Sequence, residues 1–146
     1  MPDRYVLDTS VAIRWYVDQP GSEHARELRD AGVEFVAPAV LRWEIANVLR
    51  KKGVLVGLLT KADVVAALLD LPALEVTITE DDLTSTVAAL QLSLRHRLDL
   101  WDAAFVLMAL QTGLTLLTAD ARLARGAAGL ISTELLRRSQ PVPGAS

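Results

Sequence analysis

The sequence of 146 residues contains no cysteine and only 2 histidines. The absence of cysteine excludes disulfide bonds, thiolate zinc sites and thiol nucleophiles. It is also typical of an intracellular protein, and the N-terminal MPDRY is not followed by an apolar signal region of ordinary length. Because no run approaches the roughly 20 apolar residues that a bilayer-spanning helix requires, we expect a cytoplasmic protein with no membrane partner.

Positive charge and aromatic side chains are also scarce. A formal net charge of -3 and a pI near 5.3 exclude a protein that holds nucleic acid mainly through a broad cationic surface. They do not exclude a nucleic-acid enzyme in which local basic patches flank a metal ion. Aromatic residues make up 5% of a chain that is 51% hydrophobic, so we expect an aliphatic core.

Strand-like apolar runs alternate with helical patterns along the chain. The predicted strands cover residues 5–7, 33–36, 74–77, 115–118 and 130–132, and the predicted helices cover 22–31, 39–51, 61–71, 80–95 and 101–112, with a short helix after residue 120. This order predicts an α/β fold, a single-domain three-layer α/β/α sandwich with a mainly parallel five-stranded sheet. We expect the domain to span residues 1–138 and the tail SQPVPGAS, 139–146, to be disordered.

Single residues at the predicted boundaries support this division. Gly32, Gly113 and Gly129 each precede a predicted strand and are suited to left-handed C caps of helices. Thr60 and Thr79 each precede a helical pattern and are predicted to be N caps.

Two of the predicted strands are followed by an acid, Asp8 after YVL and Asp120 after LLTA. The carboxyl ends of parallel strands meet at one edge of a sheet, and ligands bind beyond that edge. We therefore expect Asp8 and Asp120 to lie near each other. The alternative for each of them is a purely structural helix N cap.

Glu44 lies on the apolar side of its predicted helix. Leu41, Ile45 and Val48 follow the i, i+4, i+7 spacing of a core-facing stripe, and Glu44 falls within that stripe. An ionised carboxylate that points inward is costly without a partner. It is predicted either to belong to a site or to form a half-buried ion pair with a nearby arginine.

Asp102 is the only charge in the first turns of the apolar segment LWDAAFVLMAL. A helix that is apolar all round is expected to be buried, and Asp99 is the expected N cap of this one. The structural alternative for Asp102 is a favourable interaction with the helix dipole, worth about 0.3 to 1 kcal/mol.

Four carboxylates gathered at one edge would require a counter-charge, which could be protons, basic side chains or a divalent cation. Two carboxylates about 4 Å apart repel by about 4 kcal/mol at an effective dielectric of 20. Oxygen ligands without cysteine or histidine favour Mg²⁺ or Mn²⁺ over zinc. Such a site suits attack of metal-activated water on a phosphodiester, with Ser10 placed to orient a water, a phosphate oxygen or the Asp8 carboxylate.

Four segments, in order, carry a resemblance to a known family: YVLDTSVAIRW, VAPAVLRWEIANVLRK, LDLWDAAFVLMAL and LTLLTADARL. They make the chain similar to a PIN domain, and more narrowly to the VapC toxin of a bacterial or archaeal toxin-antitoxin pair. The resemblance implies a Mg²⁺- or Mn²⁺-dependent endoribonuclease. The acidic site that it implies consists of Asp8, Glu44, Asp102 and Asp120, supported by the hydroxyl groups of Ser10 and Thr118.

The resemblance also implies partners. Proteins of this kind form homodimers and are silenced by a cognate VapB-type antitoxin, whose C-terminal segment enters the active-site groove. Trp101 stands where the family usually has a small polar or aromatic residue, and this departure concerns the fit of the RNA substrate more than metal binding.

Basic and aromatic residues offer further candidate contacts. Arg14, and Arg95 and Arg97 in the segment RHR, could hold RNA phosphate or contact the antitoxin, although cations are also typical of a solvated helix end. Trp15 and Trp43 are expected in the core or at a dimer surface rather than as a base-stacking platform.

Two rival functions remain. A phosphatase of the haloacid dehalogenase kind has a strand-end Asp nucleophile and an acid two residues later, and this chain has Ser10 at the second position. A non-catalytic PIN-like module that only binds a partner would not need all four acids. Sensitivity of RNA cleavage to EDTA would distinguish the metal-dependent nuclease from both.

Overall fold

The computed structural model of the chain describes residues 2–138, and the segment predicted to be disordered, 139–146, lies outside the described residues. The five strands are β1 (Arg4–Leu7), β2 (Glu34–Pro38), β3 (Val76–Thr79), β4 (Thr115–Thr118) and β5 (Thr133–Leu135). They form one sheet in the order β3-β2-β1-β4-β5, and every neighbouring pair is parallel. Strands β2 and β3 follow β1 on one side, and β4 and β5 lie on its other side. The strand order therefore reverses between β1 and β4, and the carboxyl ends of these two strands form the topological switch point.

Helices flank the sheet, as the α/β prediction requires. They are α1 (Thr9–Ala12), α2 (Ser22–Asp30), α3 (Val40–Leu49), α4 (Lys61–Asp70), α5 (Leu83–His96), α6 (Leu100–Thr112) and α7 (Ala121–Ala127). Short 3-10 helices cover Ile13–Trp15 and Leu71–Leu74, and a π-helical turn, Arg50–Val54, continues α3. Within residues 2–138 no helix has the length and apolar character needed to cross a bilayer.

The core is centred on β1 and α6. Tyr5, Val6 and Leu7 are fully buried, as consecutive apolar residues on a strand covered on both faces should be. Helix α6 packs against β1, β2 and β4, but the prediction that it is buried all round is wrong in part, because Leu100, Trp101 and Leu110 are exposed. This packing brings the first turn of α6, which carries Asp102, toward the ends of the central strands.

Several boundaries differ from the prediction. Strand β3 begins two residues later than predicted, because Glu75 adopts a left-handed backbone conformation, with φ of 58°, after the 3-10 helix Leu71–Leu74. Strand β5 lies just beyond the predicted segment 130–132. The regular α-helical part of α3 ends at Leu49, where the π-helical turn begins.

The predicted caps are confirmed in part. Thr60 caps α4 in a capping box with Asp63. Thr79 is not an N cap, because it ends β3 and the side chain of Asp82 caps α5 instead. Gly32 and Gly113 have the predicted positive φ, of 77° and 71°.

The prediction for Gly129 was wrong. Helix α7 ends through Ala128 in an ordinary right-handed conformation. Backbone amides of Leu130 and Ile131 donate to the Ala127 carbonyl oxygen in the turn that follows, so no left-handed cap is formed at Gly129.

Candidate functional site

Asp8 stands where β1 passes into α1, at the switch point of the sheet. It is buried, with only 5% of its surface exposed, and its backbone N–H extends the β1–β4 pairing by donating to the Leu117 carbonyl oxygen at 3.1 Å. Its carboxylate makes no capping bond to α1. Instead Oδ2 accepts hydrogen bonds from Ser10 Oγ at 2.5 Å and Thr118 Oγ1 at 2.8 Å. Asp8 is therefore held by hydroxyl groups and is not a side-chain helix cap.

The two hydroxyl groups also connect the ends of β1 and β4. Ser10 Oγ accepts from the Ala119 N–H at 2.9 Å, and Thr118 Oγ1 accepts from the Asp120 N–H at 3.0 Å. The structure thus brings the predicted supporting residues, Ser10 and Thr118, onto the same oxygen of Asp8. These hydrogen bonds from the Ala119 and Asp120 backbone hold both hydroxyl groups in place.

Burial raises the pKa of Asp8, and this effect exceeds the others. The hydrogen bonds from Ser10 and Thr118 oppose it because they stabilise the ionised form, whereas the nearby charge of Asp120 raises the pKa further. Ionisation of this buried carboxyl group is unfavourable in the metal-free protein. A cation bound beside it would stabilise the ionised form.

Glu44 is half-buried on α3, and its Oε1 accepts a hydrogen bond from Thr9 Oγ1 at 2.7 Å. The alternative of an arginine ion pair is not realised, because the neighbouring Arg42 pairs with Glu80 at 2.9 Å. Burial raises the pKa of Glu44, the Thr9 hydroxyl lowers it, and the charges of Asp8 and Asp99 raise it again.

Asp102 lies in the first turn of α6, and the other three acids of the site act electrostatically on it. Burial raises its pKa to about 7, and the charges of Asp8, Asp99, Asp120 and Glu44 contribute in that order. The carboxyl groups predicted to converge from β1, α3, α6 and the end of β4 are therefore within electrostatic reach of one another.

Asp120 is exposed and serves as the N cap of α7. Its Oδ1 accepts from the N–H groups of Arg122 at 2.9 Å and Leu123 at 3.3 Å, which is the structural alternative that the sequence left open. This role occupies one oxygen only, so it is compatible with a second role for the other.

The donor set suits a hard cation. Within the described part of the chain, no three acidic or histidine side chains are drawn together as a ready-made metal site. Mg²⁺, however, is usually held by one or two carboxylates together with waters and substrate phosphate oxygens. The hydrogen bonds described above fall on one oxygen each of Glu44 and Asp120, which leaves the second oxygen of each for a ligand, whereas the Asp8 carboxylate also accepts a hydrogen bond from the Thr9 backbone.

The contact of Thr9 with Glu44 was missed by the prediction from sequence. Thr9 orients Glu44 through its hydroxyl group, and its only signal was its place directly after Asp8. Asp99 is the N cap of α6, as expected, but its charge also acts on Asp102 and Glu44.

The predicted basic contacts are placed as follows. Arg14 is partly buried and fastens the loop after α1, since it donates to the backbone oxygens of Ser10 at 2.5 Å and Pro20 at 2.8 Å. Arg95 and Arg97 are exposed at the end of α5, where Arg97 adopts a left-handed conformation with φ of 55°. Their contact with RNA or an antitoxin stays a prediction.

An open groove lies beside the site, with Glu44 in its lining. The lining also includes Trp43, Asn47, Asp81 and Trp101. Trp15 is in the core, as expected, with its ring 5.5 Å from that of Phe35, whereas Trp43 is exposed and therefore not part of the core.

Several solved structures share this fold. A toxin-antitoxin complex from Klebsiella pneumoniae is 15% identical, with a TM-score of 0.68 over 92% of this chain and 99% of the other. PAE2754 from Pyrobaculum aerophilum is 20% identical, with a TM-score of 0.67 over 88% and 83%. VapBC-5 from Mycobacterium tuberculosis, a member of the VapBC family of toxin-antitoxin systems, is 20% identical, with a TM-score of 0.58 over 93% and 99%. At these identities the likeness concerns the fold.

The family comparison is more specific. Curated proteins give no significant sequence match. The PIN domain model, in contrast, matches residues 5–129, a segment that runs from β1 to just beyond α7 and contains all four acids of the site. Because this match covers most of the chain and agrees with the strand order and the acidic switch point, the chain belongs to the PIN domain family.

Proposed function

We propose that the protein is a Mg²⁺- or Mn²⁺-dependent endoribonuclease and the toxin of a VapBC-type toxin-antitoxin pair. The observation that carries the proposal is that four carboxyl groups, those of Asp8, Glu44, Asp102 and Asp120, lie within electrostatic reach of one another around the β1–β4 switch point. Structures that share the fold include toxin-antitoxin complexes, which supports the choice of this branch of the family.

Asp8, Glu44, Asp102 and Asp120 would hold the cation. When bound, such an ion neutralises phosphate oxygens and activates water for attack on the phosphodiester. Ser10 and Thr118 keep Oδ2 of Asp8 fixed, so that its other oxygen keeps one direction. Thr9 holds Glu44 in the same manner. Asp8 and Glu44 are therefore already oriented before the substrate binds.

The decisive experiment is RNA cleavage with and without EDTA. We expect cleavage by the parent protein in Mg²⁺ or Mn²⁺ and none after chelation. Asp8→Asn and Asp102→Asn should abolish cleavage while the fold survives, and should raise the melting temperature of the metal-free protein because repulsion is relieved. Asp30→Asn, which changes an exposed acid on α2, is the matched control and should cleave as the parent does.

The possible results separate the alternatives. Cleavage that survives EDTA would contradict the metal-dependent mechanism. Failure to cut any RNA in either metal would favour the non-catalytic binding module. Equal stabilisation of Asp8→Asn and the parent by Mg²⁺ would show that the ion is not held at this carboxylate.

A homodimer is part of the proposal, and α5 offers a surface for it. Four large apolar side chains of α5 are exposed and recur at intervals of four, three and four residues: Leu83, Val87, Leu90 and Leu94. This spacing places them on one face of the helix. We refer to them as the α5 stripe.

The cognate VapB-type antitoxin is proposed as the second partner. The segment of an antitoxin that enters the groove beside Glu44 would exclude RNA from the acids. Inhibition would then require no change in the fold of the toxin.

A further inference from the structure

The few aromatic side chains of this protein are divided sharply between the interior and one groove. Of the 3 Trp, 2 Tyr and 2 Phe, five are buried or partly buried. The two exposed aromatics are Trp43, at 76%, and Trp101, at 54%, and both line the groove that contains Glu44. An exposed indole forgoes the large burial that makes tryptophan useful in a core, so its placement beside the acids calls for a ligand.

Each of these tryptophans directly precedes an acid of the site. Trp43 precedes Glu44 on α3, and Trp101 precedes Asp102 on α6. Successive residues of a helix diverge in direction, so one helix turn presents a half-buried carboxylate to the site and an exposed ring to the groove beside it. The two rings therefore lie in one groove, beside an acid of the proposed metal site.

The remaining lining of the groove selects against phosphate. It contains the acids Glu44 and Asp81 and the amide of Asn47, and among residues 2–138 no lysine or arginine lines it. Phosphate contacts rely on such cations, whereas a nucleobase presents an uncharged face for stacking and amino groups for carboxylate acceptors. Unpaired bases of RNA are commonly read by aromatic stacking and edge hydrogen bonds.

We propose that Trp43 and Trp101 form a stacking site for an unpaired nucleobase next to the cleaved bond, with Asn47 and Asp81 placed to meet its edge. This inference rests on the proposed ribonuclease function. It adds that these two tryptophans help to determine which RNA is cleaved. Single-stranded RNA is required, because a base held in a duplex has no free face to offer. Trp43 and Trp101 are positioning residues in this role.

The test is a double-substitution experiment on enzyme and substrate. A single-stranded oligoribonucleotide that the parent cleaves is prepared with one abasic ribonucleotide at each position in turn. One abasic position next to the cleaved bond should lower kcat/KM of the parent by about 5- to 150-fold, the range expected for one lost base stack. In Trp43→Ala or Trp101→Ala the same abasic position should lower it by about 2-fold or less, because the stacking partner is already gone.

Conservative variants and a surface control distinguish stacking from mere structural damage. Trp43→Phe and Trp101→Phe keep an aromatic face and should recover most of kcat/KM. Leu55→Ala removes an exposed apolar side chain elsewhere and should behave as the parent. Melting temperatures of all variants establish that each is folded.

An abasic penalty on kcat/KM that is as large in both alanine variants as in the parent would overturn the inference. So would conversion of a dimer to a monomer by Trp43→Ala with unchanged kinetics, since the groove would then serve a second copy of the chain. If the parent cuts no RNA, the proposed function fails, and quenching of tryptophan fluorescence by single-stranded oligoribonucleotides then decides the inference. Quenching must be present in the parent and reduced in Trp43→Phe or Trp101→Phe, whereas its absence in the parent would also overturn it.

Discussion

Two hydroxyl groups determine the orientation of the Asp8 carboxyl group. Burial favours the protonated form of this carboxyl group, and Thr118 and Ser10 oppose that effect by donating to one oxygen. They also hold the carboxyl group in one orientation at the switch point.

Thr118→Val keeps the shape of the side chain and removes the donor. We expect kcat/KM for RNA to fall about 10- to 100-fold, the usual effect of losing a group that orients a metal ligand. Thr115→Val, which removes a hydroxyl at the other end of β4, is the control and should change the activity little. Equal activity of the two variants would show that the Thr118 hydroxyl does not support the site.

The raised pKa of Asp102 makes the stability of the metal-free protein depend on pH. The unfolded chain loses this proton near 3.8 and the folded protein near 7. Between these values the folded state binds more protons, so the free energy of unfolding should fall as the pH rises through this range. Asp102→Asn should flatten that part of the profile.

Melting curves recorded in EDTA between about pH 5 and pH 8 check this dependence. Because protons and Mg²⁺ compete for the same carboxylates, Mg²⁺ affinity measured by calorimetry should rise over the same range. A parent and an Asp102→Asn variant with identical pH slopes would contradict the assignment of the shift to this residue.

The positions of the acids and the hydroxyl groups of Ser10 and Thr118 beside Asp8 were predicted, but the contact between Thr9 and Glu44 was not. Asp8 and Asp120 were predictable because strand ends of a parallel sheet share an edge, and Glu44 because it interrupts an apolar stripe. The hydroxyl of Thr9 contacts Glu44 across 35 positions of the chain, and no local pattern specifies such a pairing.

At the scale of single elements, α6 depends on its N cap. The side chain of Asp99 accepts from the N–H groups of Trp101 and Asp102, at 2.9 and 3.4 Å. Asp99→Ala should lower the free energy of unfolding by about 0.5 to 2 kcal/mol, the usual cost of losing a cap.

Asp99→Asn separates the cap from the charge. Asparagine caps about as well as aspartate, so stability should be largely retained, while the pKa of Asp102 should fall because a neighbouring charge is gone. Urea unfolding measures the first effect and a pH titration of the Asp102 carboxyl by NMR the second. An unchanged Asp102 pKa would mean that Asp99 acts on α6 only as a cap.

Element boundaries show where local patterns stop being sufficient. Strand β4 was predicted to the residue, because Gly113 ends α6 and Asp120 begins α7 on either side of it. Strand β3 was displaced by the left-handed Glu75, a conformation that few non-glycine residues adopt. Thr79 looked like a cap since it precedes acids, but pairing with Pro38 keeps it in the sheet.

At the scale of the whole molecule, the α5 stripe predicts self-association. Leu90→Asp should weaken dimerisation at least about 100-fold, because a two-fold interface receives the substitution twice and buries both charges. Sedimentation velocity or light scattering measures the change. Val65→Asp places the same charge on the exposed face of α4 and should leave the dimer intact. Dissociation by Val65→Asp, with none by Leu90→Asp, would move the interface to α4.

The order of strands also bears on how the acidic site is completed as the chain folds. Thr118 lies 110 positions after Asp8, and its strand β4 pairs directly with β1. A chain in which β4 has not yet joined β1 lacks both the Thr118 hydroxyl group that holds Asp8 and the second wall of the switch point. During synthesis the site can therefore form only after the segment through β4 has left the exit tunnel.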